Sequence, residues 1–290
     1  SGGGSLLQDV TSGRSIFYYL GIMQIANWLG CPIMLYAQGI GPIRSKLARA
    51  FMRHMGNRIA GATVRDEGSK LELEGLGVTR PNVSVTADPV LALTPGDRSV
   101  GGSIIRQAGL TGEGPLIGFS VREWRGQEHY KKTFAAVADR LVSETDARIL
   151  FIPMQWPDDL RAARAVAEKM QQRCVVLEGN YDTEALLSIV GNLDLLVGVR
   201  LHALIFAAVM ETPFIGVSYD PKIDRFLATL DEQPAGTLES VATDELLQRI
   251  RQVHGDVNAK EGRCRRVREL RAQALQNARF ALQWRRKKEG

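Results

Sequence analysis

The chain of 290 residues is long enough for two domains with separate cores, and 44% hydrophobic with 24% charged residues is a globular balance. No uncharged apolar run reaches the roughly 18 residues of a membrane-spanning helix, and no basic start followed by an apolar stretch reads as a signal peptide. The net charge of +5 is uneven: residues 260–290 hold 11 Lys/Arg against 3 Asp/Glu, which leaves 26 against 29 over the other 259 residues.

The chain opens on "SGGGSLLQD" (1–9), read as a glycine-rich turn running into a helix N-terminus. Gly3 and Gly4 could bring backbone N–H groups against a phosphate or a sugar, and Asp9, placed in the following helix, could accept a proton from a hydroxyl. The alternative for Asp9 is a solvent-facing carboxylate favoured by the helix dipole. The stretch matches neither the dinucleotide fingerprint nor the P-loop. Such a loop normally leaves a strand, so the natural protein is expected to carry further N-terminal residues.

Candidate strands follow at "PIMLYAQ" (32–38), "GATVRD" (61–66) and "VSVTAD" (83–88), separated by helical segments at 44–58 and 68–76. Arg65 stands at a strand-to-loop junction, but Asp66 and Glu67 beside it make a structural ion pair equally compatible. "LTPGDRSVGGS" (93–103) reads as a linker. A second series then runs through strands at 115–121, 147–154, 173–179, 193–198 and 213–219, with helices near 129–143, 158–171, 182–191 and from about 200. Strand–helix–strand at these intervals is what right-handed parallel crossovers need. The expected class is α/β, with an N-terminal domain over 1–95, a second over 104–255 and a basic helix over 260–290.

In open α/β sheets, ligands gather beyond the carboxyl ends of the strands. "LDLLVGVRLHA" (193–203) crosses there: the strand ends near Gly198, with Arg200 and His202 at the first helical turn. Helix N–H groups favour an anion, Arg200 adds a planar fork for phosphate or carboxylate, and His202 titrates near neutral pH. Leu201 lies between them in the same binding set. The plain alternative pairs Arg200 with an acid such as Asp194 and makes His202 a capping group. Other strand ends present Ser120 and Arg122, then Gln155 and Asp158, then Asp220, Lys222 and Arg225. If the strands are parallel, Ser120, Arg122, Gln155, Arg200, His202 and Lys222 share one edge, a pocket for a small, multiply charged anion.

HExxH, paired CxxC, EF-hand and GxSxG patterns are missing, so metal hydrolysis and an α/β-hydrolase triad have no support. Cys31, Cys174 and Cys264 have neither disulfide nor metal spacing, which suits a reducing compartment. Tyr and Trp are not interleaved with basic residues, which argues against a nucleic-acid platform. The tail places Val267, Leu270, Ala274, Ala278, Ala281 and Trp284 at helical spacing. That pattern suits a docked terminal helix or, with its arginines, a surface leaning on anionic lipid.

"GGGSLLQD", "YAQGIGP", "TVRDEGS", "ADPVL", "GFSVREW", "GVRLHALIFA" and "GVSYDPK" occur in the order seen in the polysaccharide pyruvyl transferase family, CsaB-type, which the chain resembles over about 1–230. The resemblance implies two Rossmann-like domains facing a cleft in a GT-B-like architecture, the first lacking part of its natural N-terminus. It implies pyruvate transfer from phosphoenolpyruvate to a sugar as a ketal, on an N-acetylmannosamine-containing, lipid-linked cell-wall precursor of the polymer that anchors surface-layer proteins. No cofactor or metal beyond this co-substrate is expected. On this reading Arg122 and Arg200 hold the phosphate and carboxylate, His202 is the acid, Asp9 the base. The expected place is the cytoplasm, at the inner face of the membrane. The enzymatic rival is a GT-B nucleotide-sugar glycosyltransferase or epimerase, and the non-enzymatic one a membrane- or polymer-associating protein that uses its tail.

Overall fold

The computed structural model describes residues 1–2, 4–10, 13–255 and 257–289, without the side chains of 254–260 and 285–290. The chain divides into two units: Ser1–Leu93 with Arg268–Gly290, and Thr94–Val267.

Unit 1 is built on a parallel sheet, β1 (Met34–Gln38), β2 (Gly61–Val64) and β3 (Val83–Val85), in that order. Helices α1 (Ser15–Trp28), α2 (Lys46–Gly56) and α3 (Glu67–Gly75) return the chain between strands. Asp66 caps α3 through the Ser69 amide, and Ser45 caps α2 through that of Ala48. The opening glycines correct the reading of a turn into a helix. Gly2 bridges Tyr36 and Leu7 bridges Ile40 in parallel, so the first residues lie along β1, and α1 starts only at Ser15. The core gathers Leu7, Ile16, Leu35, Met52, Val64 and Leu73, among others.

Unit 2 holds a five-stranded parallel sheet: β4 (Leu116–Ser120), β5 (Arg148–Phe151), β6 (Cys174–Val176), β7 (Leu195–Gly198) and β8 (Phe214–Gly216). Its order is β6-β5-β4-β7-β8, so the direction of winding reverses between β4 and β7. Both central strands are buried end to end, which is why they read as unbroken apolar runs. Around them lie α4 (Ser99–Gln107), α5 (His129–Thr145), α6 (Asp158–Ala167), α7 (Thr183–Gly191), α8 (Leu201–Val209), α9 (Pro221–Ala228) and α10 (Thr243–Gly255).

Helix α4 corrects the linker expected over 93–103. Two glycines argue against a helix by propensity, but packing decides: the Gly101 amide donates to Ser188 Oγ at 2.7 Å, and a Cβ there would lie 2.3 Å from the Ser188 backbone. Only glycine allows α4 and α7 to approach that closely.

The terminal helix α11 runs Val257–Glu289. Its inward stripe carries Asn277, fully buried, where the sequence pattern pointed to Ala278, which is exposed. Asn277 accepts from Thr86 Oγ1 at 2.8 Å and donates to the carbonyls of Ala87 (3.1 Å) and Ala274 (3.0 Å), tying this helix to the loop after β3. One turn and more along, the Trp284 ring covers Gly61, where a Cβ would lie 2.0 Å from it. The last arginines and lysines of the tail lie outside the described side chains. Among the described residues no helix is long and apolar enough to cross a membrane.

Candidate functional site

Strands β4 and β7 pair with Ser120 opposite Gly198, so their carboxyl ends lie side by side where the winding reverses. In open α/β sheets that reversal opens a crevice for ligands. Ser120 is fully buried, and among the described residues its Oγ has no hydrogen-bond partner. Two residues on, Arg122 donates through Nη1 to the Tyr219 hydroxyl, while its buried Nε has no partner among the described residues. The Arg122 guanidinium lies 4.6 Å from the Tyr219 ring centre and 4.9 Å from that of Trp124, and the two rings are 4.7 Å apart. The Arg122 carbonyl accepts from the Tyr130 hydroxyl at 2.5 Å. Burial, with the neighbouring Glu123, Glu128 and Asp159 charges, pushes the Tyr130 phenol well up, so it stays a donor.

Across the reversal point, Arg200 is the N-cap residue of α8, and its own side chain does not cap that helix. The N-terminus of a helix favours an anion. The Arg200 fork is committed on one side: Nε donates to Asp159 Oδ2 at 2.8 Å, and Nη2 to Asp159 Oδ1 and, at 3.0 Å, to Gln155 Oε1. Asp159 is fully buried and also accepts from the amides of Met154 (3.2 Å) and Gln155 (2.9 Å). One carboxylate thus ties the loop after β5 to the loop after β7. Nη1 of Arg200 makes no hydrogen bond among the described residues, and the side chain is 16% exposed. Leu201 is buried at the first position of α8; His202 follows it, exposed.

Lys222 is half-buried on α9, with Nζ 3.5 Å from Asp220 Oδ2 and 5.5 Å from the Tyr219 ring centre. Asp220 also caps α9 through the Lys222 amide. Tyr219 therefore gathers Arg122 and Lys222, and Asp159 gathers Arg200 and Gln155. Ser120, Arg122, Gln155, Arg200, Leu201, His202 and Lys222 all lie along the carboxyl edge of one sheet.

Two details of the sequence reading are corrected here. Asp194 is not the partner of Arg200; its carboxylate accepts from the Leu116 amide at 2.7 Å. Asp158, read as presented beside Gln155 at the strand end, pairs instead with Arg161 on the surface of α6, while its neighbour Asp159 enters the core. Asp159, Trp124 and Tyr219 were not singled out as site residues. An acid with i,i+1 doubling at a helix start was the available signal for the first, and "REW" with "SYD" at strand ends for the others.

The unit 1 residues form a separate group. Asp9 lies in a loop before α1, and its carboxylate accepts from the amides of Arg44 (3.0 and 2.8 Å) and Ser45 (2.7 Å). Both oxygens anchor the entry to α2, which corrects the expectation of a helix-borne base. Arg65 is buried, contacting Asp88 at 3.3 Å, Asp66 at 3.5 Å and Ser5 Oγ at 2.8 Å, the structural pairing of the two readings. The Gly4 carbonyl accepts from the Gly39 amide and from Gln38 Nε2, both at 3.0 Å. Gly3 lies outside the described residues. Gln38, missed as an individual, is fully buried with Oε1 unpartnered, and it follows Ala37, whose φ of 45° is unusual for a residue other than glycine.

A model of the polysaccharide pyruvyl transferase family matches residues 1–221. No curated protein matches the chain. Among solved structures, the Staphylococcus aureus MnaA–UDP complex is 12% identical, covers 96% of this chain and 74% of its own, and has a TM-score of 0.68. The UDP-GlcNAc 2-epimerase of Neisseria meningitidis bound to UDP-GlcNAc is 10% identical over 91% and 73%, with a TM-score of 0.64. Anabaena Alr3699/HepE in complex with UDP-glucose is 11% identical over 94% and 76%, with a TM-score of 0.60. These likenesses place the two α/β units in the GT-B fold.

Proposed function

Because the chain belongs to the polysaccharide pyruvyl transferase family and so is a transferase, we propose that it moves pyruvate from phosphoenolpyruvate onto a sugar as a ketal. One observation carries the reading. Two buried polar groups without partners among the described residues, Ser120 Oγ and Arg122 Nε, stand at the reversal point of the unit 2 sheet beside the N-terminus of the helix headed by Arg200. A small trianion supplies what each of them lacks.

In this mechanism Arg122 and the free Nη1 of Arg200 take the phosphate and carboxylate, with the α8 amides adding further donors. Held by Asp159, Arg200 meets the ligand without first being ordered, which favours binding. His202 gives its proton to the methylene carbon of the enol, leaving an oxocarbenium-like centre at the adjacent carbon. A sugar hydroxyl adds there and loses its proton. The phosphate then leaves with the electrons of its C–O bond, and a second hydroxyl closes the ketal. The acceptor we infer is N-acetylmannosamine in a lipid-linked precursor of a cell-wall polymer that anchors surface-layer proteins, met at the inner face of the membrane.

The test is to incubate the protein with phosphoenolpyruvate and lipid-linked disaccharides and to look by mass for one pyruvyl ketal with equimolar phosphate release. Stabilisation against heat by phosphoenolpyruvate and not by UDP-sugars is expected. Stabilisation by UDP-sugars alone, or wild-type turnover in His202→Ala and Arg200→Ala, would overturn the proposal.

A further inference from the structure

We propose that the edge of unit 1 at which its strands begin is a docking surface for a membrane of anionic phospholipid, with Arg53, Arg58 and Arg80 seating a headgroup phosphate. This inference does not rest on the pyruvyl reading. The strands of unit 1 are parallel, so α1 and α2 both end at the edge where the next strand starts, opposite the edge that carries Asp9 and the end of β1 at Gln38. At that edge lies an open depression of about 450 Å³ lined by Arg53, His54, Asn57, Arg58, Thr79 and Arg80, together with Ala50 and Gly77. Among the described residues no carboxylate lines it.

The depression is built, not accidental. Asn57 Oδ1 accepts from the amides of Thr79 (2.9 Å) and Arg80 (3.0 Å), while its Nδ2 donates to the carbonyls of Arg53 (2.9 Å) and Gly77 (2.8 Å). One side chain thus pins the two backbone segments that bring Arg53 and Arg80 together. Arg58 Nη1 is held on His54, at 3.0 Å from its carbonyl and 3.1 Å from Nδ1. None of the three arginines forms an ion pair among the described residues. Three like charges gathered without a counter-charge repel one another, and a phosphate relieves this by accepting from their forks.

The surroundings name the kind of phosphate. At the end of α1, on the same edge, Ile25, Trp28 and Leu29 are 54%, 76% and 73% exposed. An exposed tryptophan among aliphatic side chains beside arginines is the composition of a surface that enters the headgroup layer. Residues 10–65 carry seven Lys/Arg and no Asp or Glu. The faintly acidic average of the body conceals this segment. A second copy of the chain, docking here by the same face, would set the same three arginines against these, so charge favours an anionic bilayer over self-association.

The test is co-sedimentation of the whole chain with vesicles of phosphatidylglycerol and phosphatidylcholine, or of phosphatidylcholine alone, at about 0.1 M salt. Binding to the anionic vesicles only is expected. It should fall about 100-fold in R53Q/R58Q/R80Q, since each cation near such a surface contributes about fivefold. It should also weaken in W28S/L29S, and stay unchanged in R161Q/R164Q/R173Q, a matched neutralisation on unit 2. Arg80→Glu, whose side chain makes no internal bond, keeps the test valid if the triple variant misfolds. Equal loss in the unit 2 control would assign binding to overall charge, and binding to both vesicle types would remove the phosphate. A dimer that W28S/L29S dissolves without loss of vesicle binding would give the apolar residues to self-association. Each of these results overturns the proposal.

Discussion

Breaking the pair of Asp159 and Arg200 should cost the protein more than any other single change at the candidate site. Asp159 is fully buried and accepts four hydrogen bonds, two from Arg200 and two from the Met154 and Gln155 amides. Asp159→Ala leaves a mostly buried guanidinium and two amides without an acceptor, a class of change that costs roughly 3–5 kcal/mol. Asp159→Asn is milder. Its oxygen can replace Oδ2, which takes both amides and Arg200 Nε, but its NH2 then faces the Nη2 donor, so about 2 kcal/mol is expected. Arg200→Met strands the carboxylate instead and should cost about as much as Asp159→Ala. The double variant should therefore be only slightly worse than either single one, with a coupling energy of about 2 kcal/mol or more. Urea unfolding followed by the tryptophan fluorescence of unit 2 measures all four corners of the cycle. With Asp159→Asn the affinity for phosphoenolpyruvate should also fall by about tenfold, because the loss of the Nη2 bond leaves the fork held only at Nε and at Gln155 before binding. A coupling below about 0.5 kcal/mol would refute the reasoning, since it would mean that the two groups stay solvated and independent.

Three further outcomes follow from single groups. Ser120→Ala removes a buried hydroxyl that has no partner among the described residues, so stability in urea should stay within about 0.5 kcal/mol of wild type while phosphoenolpyruvate affinity drops, the reverse of an ordinary core substitution. Asn277→Leu strands the Ala87 carbonyl, while the Thr86 hydroxyl keeps the Val64 carbonyl, and should lower the stability of unit 1 by about 1–3 kcal/mol, read from its unfolding midpoint. Alkylation at neutral pH should mark the exposed Cys31 well before Cys174, because burial, aided by the nearby Asp139 charge, pushes the Cys174 thiol up and keeps its thiolate scarce. Mass spectrometry of the labelled peptides decides the order.

How far the sequence revealed this arrangement depended on the range of the interactions involved. The central strands are legible because burial on both faces leaves apolar runs such as "LIGFS" and "LLVG", and helix starts are marked by capping residues such as Asp66 and Asp182. The row of cations at strand ends is legible for the same reason: parallel strands put every following loop at one edge. What the sequence hides is which strands are neighbours. The β6-β5-β4-β7-β8 order places Ser120 against Gly198, and no local pattern states that residues 78 apart share a crevice. Helix α4 was hidden by its glycines, whose purpose is set by Ser188, 87 residues away. Asn277 was passed over because a polar residue in an apolar stripe looks like a break, until Thr86 and Ala87 are seen to satisfy it. Asp159 is the same case with greater consequence. Beside Asp158 it reads as one of two dipole-favouring acids at the start of α6, yet only one of the pair faces solvent. The other is the anion that holds Arg200 in place and still leaves Nη1 open. An arginine locked in an internal ion pair would argue against a binding role if the whole fork were consumed. Here two of its three nitrogens are held and one is not, so the ion pair positions the cation instead of neutralising the site.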